Sequence, residues 1–218
     1  MTAILKALIL DFDGVLVESN DIKTEAFKTV FAEYPEHHRR MIDYHHANMS
    51  LSRVEKFRYF IRECLDRGDD PALLKALLSA YSREVVDRVA SCPATPGSLD
   101  FLEEFSAHLP LYLASVTPVE DLDWVLEKRS LKKYFREVFG DPPVPKKEAV
   151  VRVRVREKCR LEELLLIGDS EGDWTTARET GIGFIGYDSG MPLPPEAKKF
   201  SSWQRLAGHL RAALLLVC

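Results

Sequence analysis

Apolar positions along the chain fall into two regimes. Short continuous runs, Ala7-Leu8-Ile9-Leu10, Leu111-Tyr112-Leu113-Ala114 and Leu164-Leu165-Leu166-Ile167, have the length and composition of strands buried on both faces. From about residue 20 to 90 no such run occurs. Ile22, Ala26, Phe27, Val30 and Phe31 recur there at helical spacing, as do Val54, Phe57, Phe60, Ile61 and Cys64, with Ser50 or Ser52 as the candidate cap. Pro71 opens a third helix over Leu73, Leu74, Leu77 and Leu78 that runs on towards Val85, Val86 and Val89. Cys92-Pro93-Ala94-Thr95-Pro96-Gly97 breaks the pattern and reads as a linker. Beyond it helices and strands alternate: helix 98–108, strand 111–114, helix 119–129, strand near Val138-Phe139, helix near Lys147, strand 164–167, helix 174–180 closed by Gly181, strand 182–185. This alternation predicts an α/β fold with a doubly wound parallel sheet, Rossmann-like, formed by residues 1–17 and 92–218 and interrupted by an all-helical insertion over 18–91. One segment conflicts: Val151-Arg152-Val153-Arg154-Val155-Arg156 alternates with period two and taken alone reads as a half-buried strand.

Two of the buried runs end in acids. The first continues into Asp11-Phe12-Asp13-Gly14, the third into Gly168-Asp169-Ser170-Glu171-Gly172-Asp173. Ligands of open α/β sheets bind beyond the carboxyl ends of strands, so these acids emerge where chemistry is done. Asp11 and Asp13, two apart on extended chain, point to opposite sides. If the two runs are sheet neighbours, Asp11, Asp13, Asp169 and Asp173 converge, and four carboxylates at that distance require a compensating cation. Oxygen-only ligands favour Mg²⁺. For each acid the plainer reading stands beside this one: solvated turn residues at Asp11 and Asp13, a helix N-cap for the helix near Trp174 at Asp173.

With 218 residues, 46% of them hydrophobic, the chain can bury a sizeable core without staples. A net charge of −4 from 30 basic and 34 acidic side chains supplies no field for nucleic acid or an anionic membrane. Cys64, Cys92, Cys159 and Cys218 are far apart and form no C-x-x-C pair, which suits free thiols in a reducing compartment. The N-terminal residues run into the first strand without a leader, and no apolar run reaches membrane-spanning length, so the expectation is a cytoplasmic protein.

The ordered set of motifs resembles the haloacid dehalogenase superfamily of aspartate-nucleophile phosphatases, in the branch of β-phosphoglucomutase and phosphoglycolate phosphatase. Its pattern is D-x-D-G after a strand (Asp11 to Gly14), a Ser or Thr after a later strand (Ser115, with Thr117 as rival), a Lys and a final G-D-x-x-x-D (Gly168 to Asp173). Lys146 opens a K-x-E-A pattern and is the first candidate for the lysine, Lys147 the second. The resemblance implies Asp11 as nucleophile, Asp13 as general acid and base, Ser115 and Lys146 at the phosphoryl group, Gly14 and Thr117 beside it, and Mg²⁺ held by Asp11, Asp13 through its main-chain carbonyl, and Asp169, with Asp173 in support. It makes residues 18–91 a helical cap and places a helix over Val151–Arg156, with the arginines on a solvated face.

What the resemblance implies for function is hydrolysis of a small phosphorylated metabolite, a sugar or sugar-acid phosphate, through an aspartyl-phosphate. The second acid, Asp13, argues against dehalogenation, since a departing halide needs no proton. A phosphomutase is the alternative, although the mutase has a histidine where this chain has Lys23; a noncatalytic binding protein is the third. Lys23, Arg53, Lys56 and Arg58 are candidates for a second anionic group of the substrate, with an ordinary charged helix face as the plainer reading; Leu51-Ser52-Arg53 resembles the mutase's cap loop. His37, His38, His45 and His46 lack partner acids at ligand spacing and read as helix surface or a cap turn. Monomer and dimer both remain open.

Overall fold

The computed structural model describes residues 5–49 and 51–215. Strands β1 (Ala7–Leu10), β2 (Leu111–Ser115), β3 (Phe135–Gly140), β4 (Leu164–Gly168), β5 (Gly183–Tyr187) and β6 (Lys199–Phe200) form one sheet in the order β3-β2-β1-β4-β5-β6, with every pairing parallel. Alternation along β1 divides its side chains between the two faces. Leu8 and Leu10 join one apolar cluster, Ala7 and Ile9 the other. That explains why these strands read as uninterrupted apolar runs. The chain order reverses direction between β1 and β4, so a crevice opens at their carboxyl ends, and Asp11 N–H donates to Ile167 O there at 2.9 Å.

Between β1 and β2 lie helices α1 (Asn20–Phe31), α2 (Pro35–Ala47), α3 (Arg53–Tyr59) and α4 (Pro71–Ser91), with a π-helical stretch, Phe60–Cys64, continuing α3. Ser52 caps α3 through a reciprocal pair with Glu55, while Ser50, the other candidate, lies outside the described residues. Asp70 caps α4 by accepting from Leu73 N–H at 2.9 Å, with Pro71 where its missing N–H costs nothing. Phe27, Phe31, Phe57, Phe60 and Tyr81 pack this helical block; Phe27 lies 4.4 Å from Tyr81 and 5.4 Å from Phe57, ring to ring. The same apolar cluster runs on into the sheet face carrying Leu8 and Leu10. Where the block leaves and rejoins the sheet, the chain segments are tied: Glu18 N–H donates to Pro93 O, Thr95 N–H to Leu16 O, and Ser98 Oγ to Leu16 O.

The remaining helices, α5 (Ser98–Ser106), α6 (Val119–Lys128), α7 (Lys146–Glu157), α8 (Glu171–Thr180) and α9 (Trp203–Leu215), alternate with the strands. The period-two segment is helical, inside α7. Val150 and Val153 are buried, and Val151 and Val155 stand 54% and 70% exposed among the arginines, because a helix turns alternate valines away from one another. Three elements carry no clean sequence signal. Helix α2 buries Met41 and His45 and little else, so it lacks a stripe; β6 is two residues long; α9 follows a Pro-rich stretch. Helix α8 starts at Glu171 with Ser170 as its N-cap, so the N-cap reading of Asp173 is corrected: Asp173 occupies the third helical position and returns a carboxylate to the cap. Cys64, Cys92 and Cys159 are free, and Cys218 lies outside the described residues. No helix among the described residues is long and apolar enough to cross a membrane.

Candidate active site

The carboxyl ends of β1, β2 and β4 meet the helical block around a cavity of ≈ 340 Å³, within the range of small-molecule sites. Asp11 leaves β1, Asp169 leaves β4, and Asp173 sits in the first turn of α8. One carboxylate oxygen from each can be chosen so that all lie within 4.8 Å of one another, and all three residues are buried. Sheet pairing of β1 and β4 brings together motifs that are 158 residues apart in number. Lys146, at the start of α7, places its ammonium 2.9 Å from Asp11 Oδ1 and 2.5 Å from Asp173 Oδ1. The neighbouring Lys147 is exposed and pairs with Glu179. The register that the Pro-rich segment leaves open in the sequence is thus fixed by α7, which presents one of two adjacent lysines inward.

Asp173 uses both oxygens: Oδ1 takes Lys146, and Oδ2 accepts from Ser170 N–H at 3.2 Å and Ser170 Oγ at 2.6 Å. Asp169 Oδ2 accepts from Ser189 Oγ at 2.6 Å and Asn20 Nδ2 at 3.1 Å. Asp11 is different. Its buried Oδ1 accepts no hydrogen bond of ordinary geometry from the described residues and has only the Lys146 ion pair. Burial pushes the Asp11 carboxyl up, Lys146 opposes it, and Asp173, Asp169 and Asp13 add to the rise. Burial and Asp173 push Asp169 up as well. Burial alone would lower the Lys146 ammonium, but Asp11 and Asp173 outweigh it and hold it above its ordinary value. Three buried acids facing one lysine, with an under-satisfied oxygen among them, make a donor set that fits a hard divalent cation.

Asp13 does not join this cluster with its carboxylate. It turns to the other side of the loop, where Ser19 Oγ donates to Oδ1 at 2.7 Å, Thr117 Oγ1 to Oδ2 at 3.0 Å, and Lys23 Nζ lies 2.5 Å from Oδ2. Burial raises this carboxyl, but Lys23, through charge and hydrogen bond, with Ser19 and Thr117, holds it below the usual range. Ser115 Oγ lies 3.4 Å from Asp13 Oδ2 and accepts from Thr117 N–H at 3.1 Å; Thr117, not Ser115, lines the cavity. Gly14 has φ +73°, and a Cβ there would lie 2.1 Å from Asp169 Oδ2, so a larger residue would have to displace the Asp169 and Asn20 side chains from the cluster.

Arg53, on α3, is buried, with Nη1 2.5 Å from Asp121 Oδ2 on α6, donating also to Ser82 Oγ at 2.9 Å; its charge is therefore matched within the protein. Arg58 lies away from this cavity. Among the histidines, His45 corrects the surface reading: it is 2% exposed and lines the cavity. Sequence reasoning also passed over Ser19, Asn20 and Ser189. Ser19 and Asn20 follow directly on the first acidic loop and could have been found by that adjacency. Ser189 has no local signal, because only the β4–β5 pairing brings it to Asp169.

Comparisons with known proteins place the chain in a family and a fold. Residues 8–187 match the family model described as haloacid dehalogenase-like hydrolase. The chain is 27% identical over 222 residues to a phosphoglycolate phosphatase of Rhodobacter capsulatus, covering 93% of this chain and 95% of the relative. It is 26% identical over 183 residues to a phosphorylated carbohydrates phosphatase of Thermotoga maritima, covering 82% of each. A haloacid dehalogenase-like hydrolase from Streptococcus pneumoniae superposes with a TM-score of 0.72 at 21% identity, over 94% of this chain and 98% of that one. With the motifs, the parallel sheet and the family match in agreement, this chain belongs to the haloacid dehalogenase-like hydrolases and is an enzyme of that family.

Proposed function

We propose that the protein is a phosphomonoester hydrolase acting on a small phosphorylated metabolite, with residues 1–17 and 92–218 as catalytic core and 18–91 as a helical cap. The observation that supports it most is Lys146 between Asp11 and Asp173 beside an under-satisfied Asp11 oxygen. A phosphoryl dianion can approach an aspartate only where cationic charge faces both, and Lys146 is placed for that. Relatives named phosphoglycolate phosphatase and phosphorylated carbohydrates phosphatase support the same substrate range.

In this reading an Asp11 oxygen forms a bond to phosphorus as the ester P–O bond breaks, and Asp13, protonated by the incoming phosphate monoanion, passes that proton to the departing alkoxide. Asp13 then takes a proton from water as the water oxygen attacks phosphorus, returning Asp11 free and releasing phosphate. Thr117 and Ser115 donate to phosphoryl oxygens. Lys23 favours the ionised Asp13 that the second step needs. Asp11, Asp169 and the Asp13 main-chain carbonyl would hold Mg²⁺, with Asp173 orienting Lys146; the ion, when bound, supplies charge against the phosphoryl oxygens. The test is phosphate release from a panel of phosphate monoesters with Mg²⁺ or with chelator. The reading predicts release that needs Mg²⁺ and is lost in Asp11→Asn; no release from any ester, or release unaffected by Asp11→Asn, overturns it.

A further inference from the structure

Five cations line the cavity, and four have carboxylate partners: Lys23 with Asp13, Lys146 with Asp11 and Asp173, Arg53 with Asp121, and Lys147 with Glu179. The fifth, Lys56 on α3, has none among the described residues. It is only 3% exposed. Its ammonium contacts His45 Nδ1 at 3.2 Å and Met49 O at 3.4 Å and lies 5.3 Å from the Phe27 ring centroid, all uncharged neighbours. The nearby Glu55 is spent on capping Ser52. A buried ammonium with no counter-charge is costly, and ordinary helices place lysines on the surface.

The surroundings hold Lys56 as a donor. Thr24 Oγ1 donates to Asn20 O at 3.2 Å, which leaves its lone pair for His45 Nε2–H at 3.1 Å, and so His45 Nδ1 is the acceptor for Lys56. Burial and the charge of Lys56 keep the imidazole neutral near pH 7, with its pKa pushed down to about 3. His45 thus orients the ammonium without neutralising it. The Lys56 pKa is itself pushed down to about 7, first by burial and then by Lys23, which an incoming anion would reverse.

We propose that Lys56, positioned by His45, is the specificity-determining residue of this cavity and recognises a carboxylate at the far end of the phosphorylated substrate. The inference rests on the phosphatase reading above. One unmatched ammonium balances one carboxylate, whereas a second phosphate dianion would leave negative charge uncompensated in a buried site. Substrates are therefore short phosphate esters of hydroxy acids.

Calorimetric binding in the Asp11→Asn background, which needs no turnover, tests it with three probes: 2-phosphoglycolate, its amide, and the bisphosphate of ethylene glycol. The acid is expected to bind at least about tenfold tighter than the amide, the low end for a hydrogen bond to a charged group. In Lys56→Met that ratio should fall to near unity, and Lys56→Arg should restore part of it. Equal affinity for acid and amide, or a ratio that survives Lys56→Met, overturns the proposal. Preference for the bisphosphate over the acid overturns the carboxylate assignment. Hydrolysis of the same probes by wild type is read separately: its absence counts against the phosphatase reading and leaves the binding ratio to judge Lys56.

Discussion

Replacing Lys56 with methionine should leave a signature in the pH dependence of stability that replacing a solvated lysine would not. The folded protein holds the Lys56 pKa near 7, against 10.5 for the free side chain. Between those limits the unfolded chain carries the proton and the folded chain does not. Lowering pH from 10.5 therefore costs wild type stability, by about 1.36 kcal/mol per pH unit, until the folded group also protonates. Methionine takes up no proton and escapes this loss. From about pH 9.5 to 7 the variant should gain roughly 3 kcal/mol on wild type. With an unfolding entropy of about 2.1 cal/mol/K per residue, a chain of 218 residues converts this to a relative Tm gain of about 7 °C. Removing the ammonium also leaves His45 Nδ1 and Met49 O without their donor, at about 1–3 kcal/mol each. Because His45 stays neutral throughout, that penalty is the same at both pH values. It sets the offset between the two Tm curves, while the ammonium sets their divergence. Thermal unfolding of both proteins by circular dichroism across this window is the assay. Parallel curves would refute the reasoning, since they would mean that folded Lys56 titrates like a solvated lysine.

Further outcomes follow from other contacts. Lys146→Ala should lower kcat by at least about a hundredfold in steady-state phosphate release, because it removes charge facing the nucleophile, whereas Lys147→Ala, outside the cluster, should stay within about threefold. Gly14→Ala must push a methyl into Asp169 at a positive φ, and chemical denaturation should record a loss of about 1–3 kcal/mol with weakened divalent-cation binding by calorimetry. Phe57→Ala, deleting a fully buried ring packed against Phe27 and Phe31, should cost about 3–5 kcal/mol by the same denaturation assay. Addition of Mg²⁺ should raise the Tm of wild type, and the rise should vanish in Asp169→Asn, as differential scanning fluorimetry can read.

The parallel sheet was legible because its strands are buried on both faces and so written as unbroken apolar runs; the acids stood out because charge follows those runs directly. Alternating Val and Arg over 151–156 misleads when taken alone, since a helix that buries Ala149, Val150 and Val153 leaves Val151 and Val155 in solvent. Helix α2 was illegible for a related reason: a helix buried along one narrow line by Met41 and His45 carries no stripe. What sequence could not supply was orientation. That Lys146 turns in and Lys147 out, that Asp13 faces Lys23 rather than the acidic cluster, and that Arg53 meets Asp121, 68 positions away, depend on how the helical block seats on the sheet. His45 shows the limit most clearly, because a histidine among histidines carries no mark of burial.

The central claim is that Asp11 receives the phosphoryl group. Acid quenching during turnover of a phosphate monoester with Mg²⁺, followed by peptide mass spectrometry, tests it directly: the account predicts one phosphoryl group on the peptide containing Asp11 and none in Asp11→Asn. Phosphate released at the wild-type rate with Asp11 never modified, or released undiminished by Asp11→Asn, would contradict it.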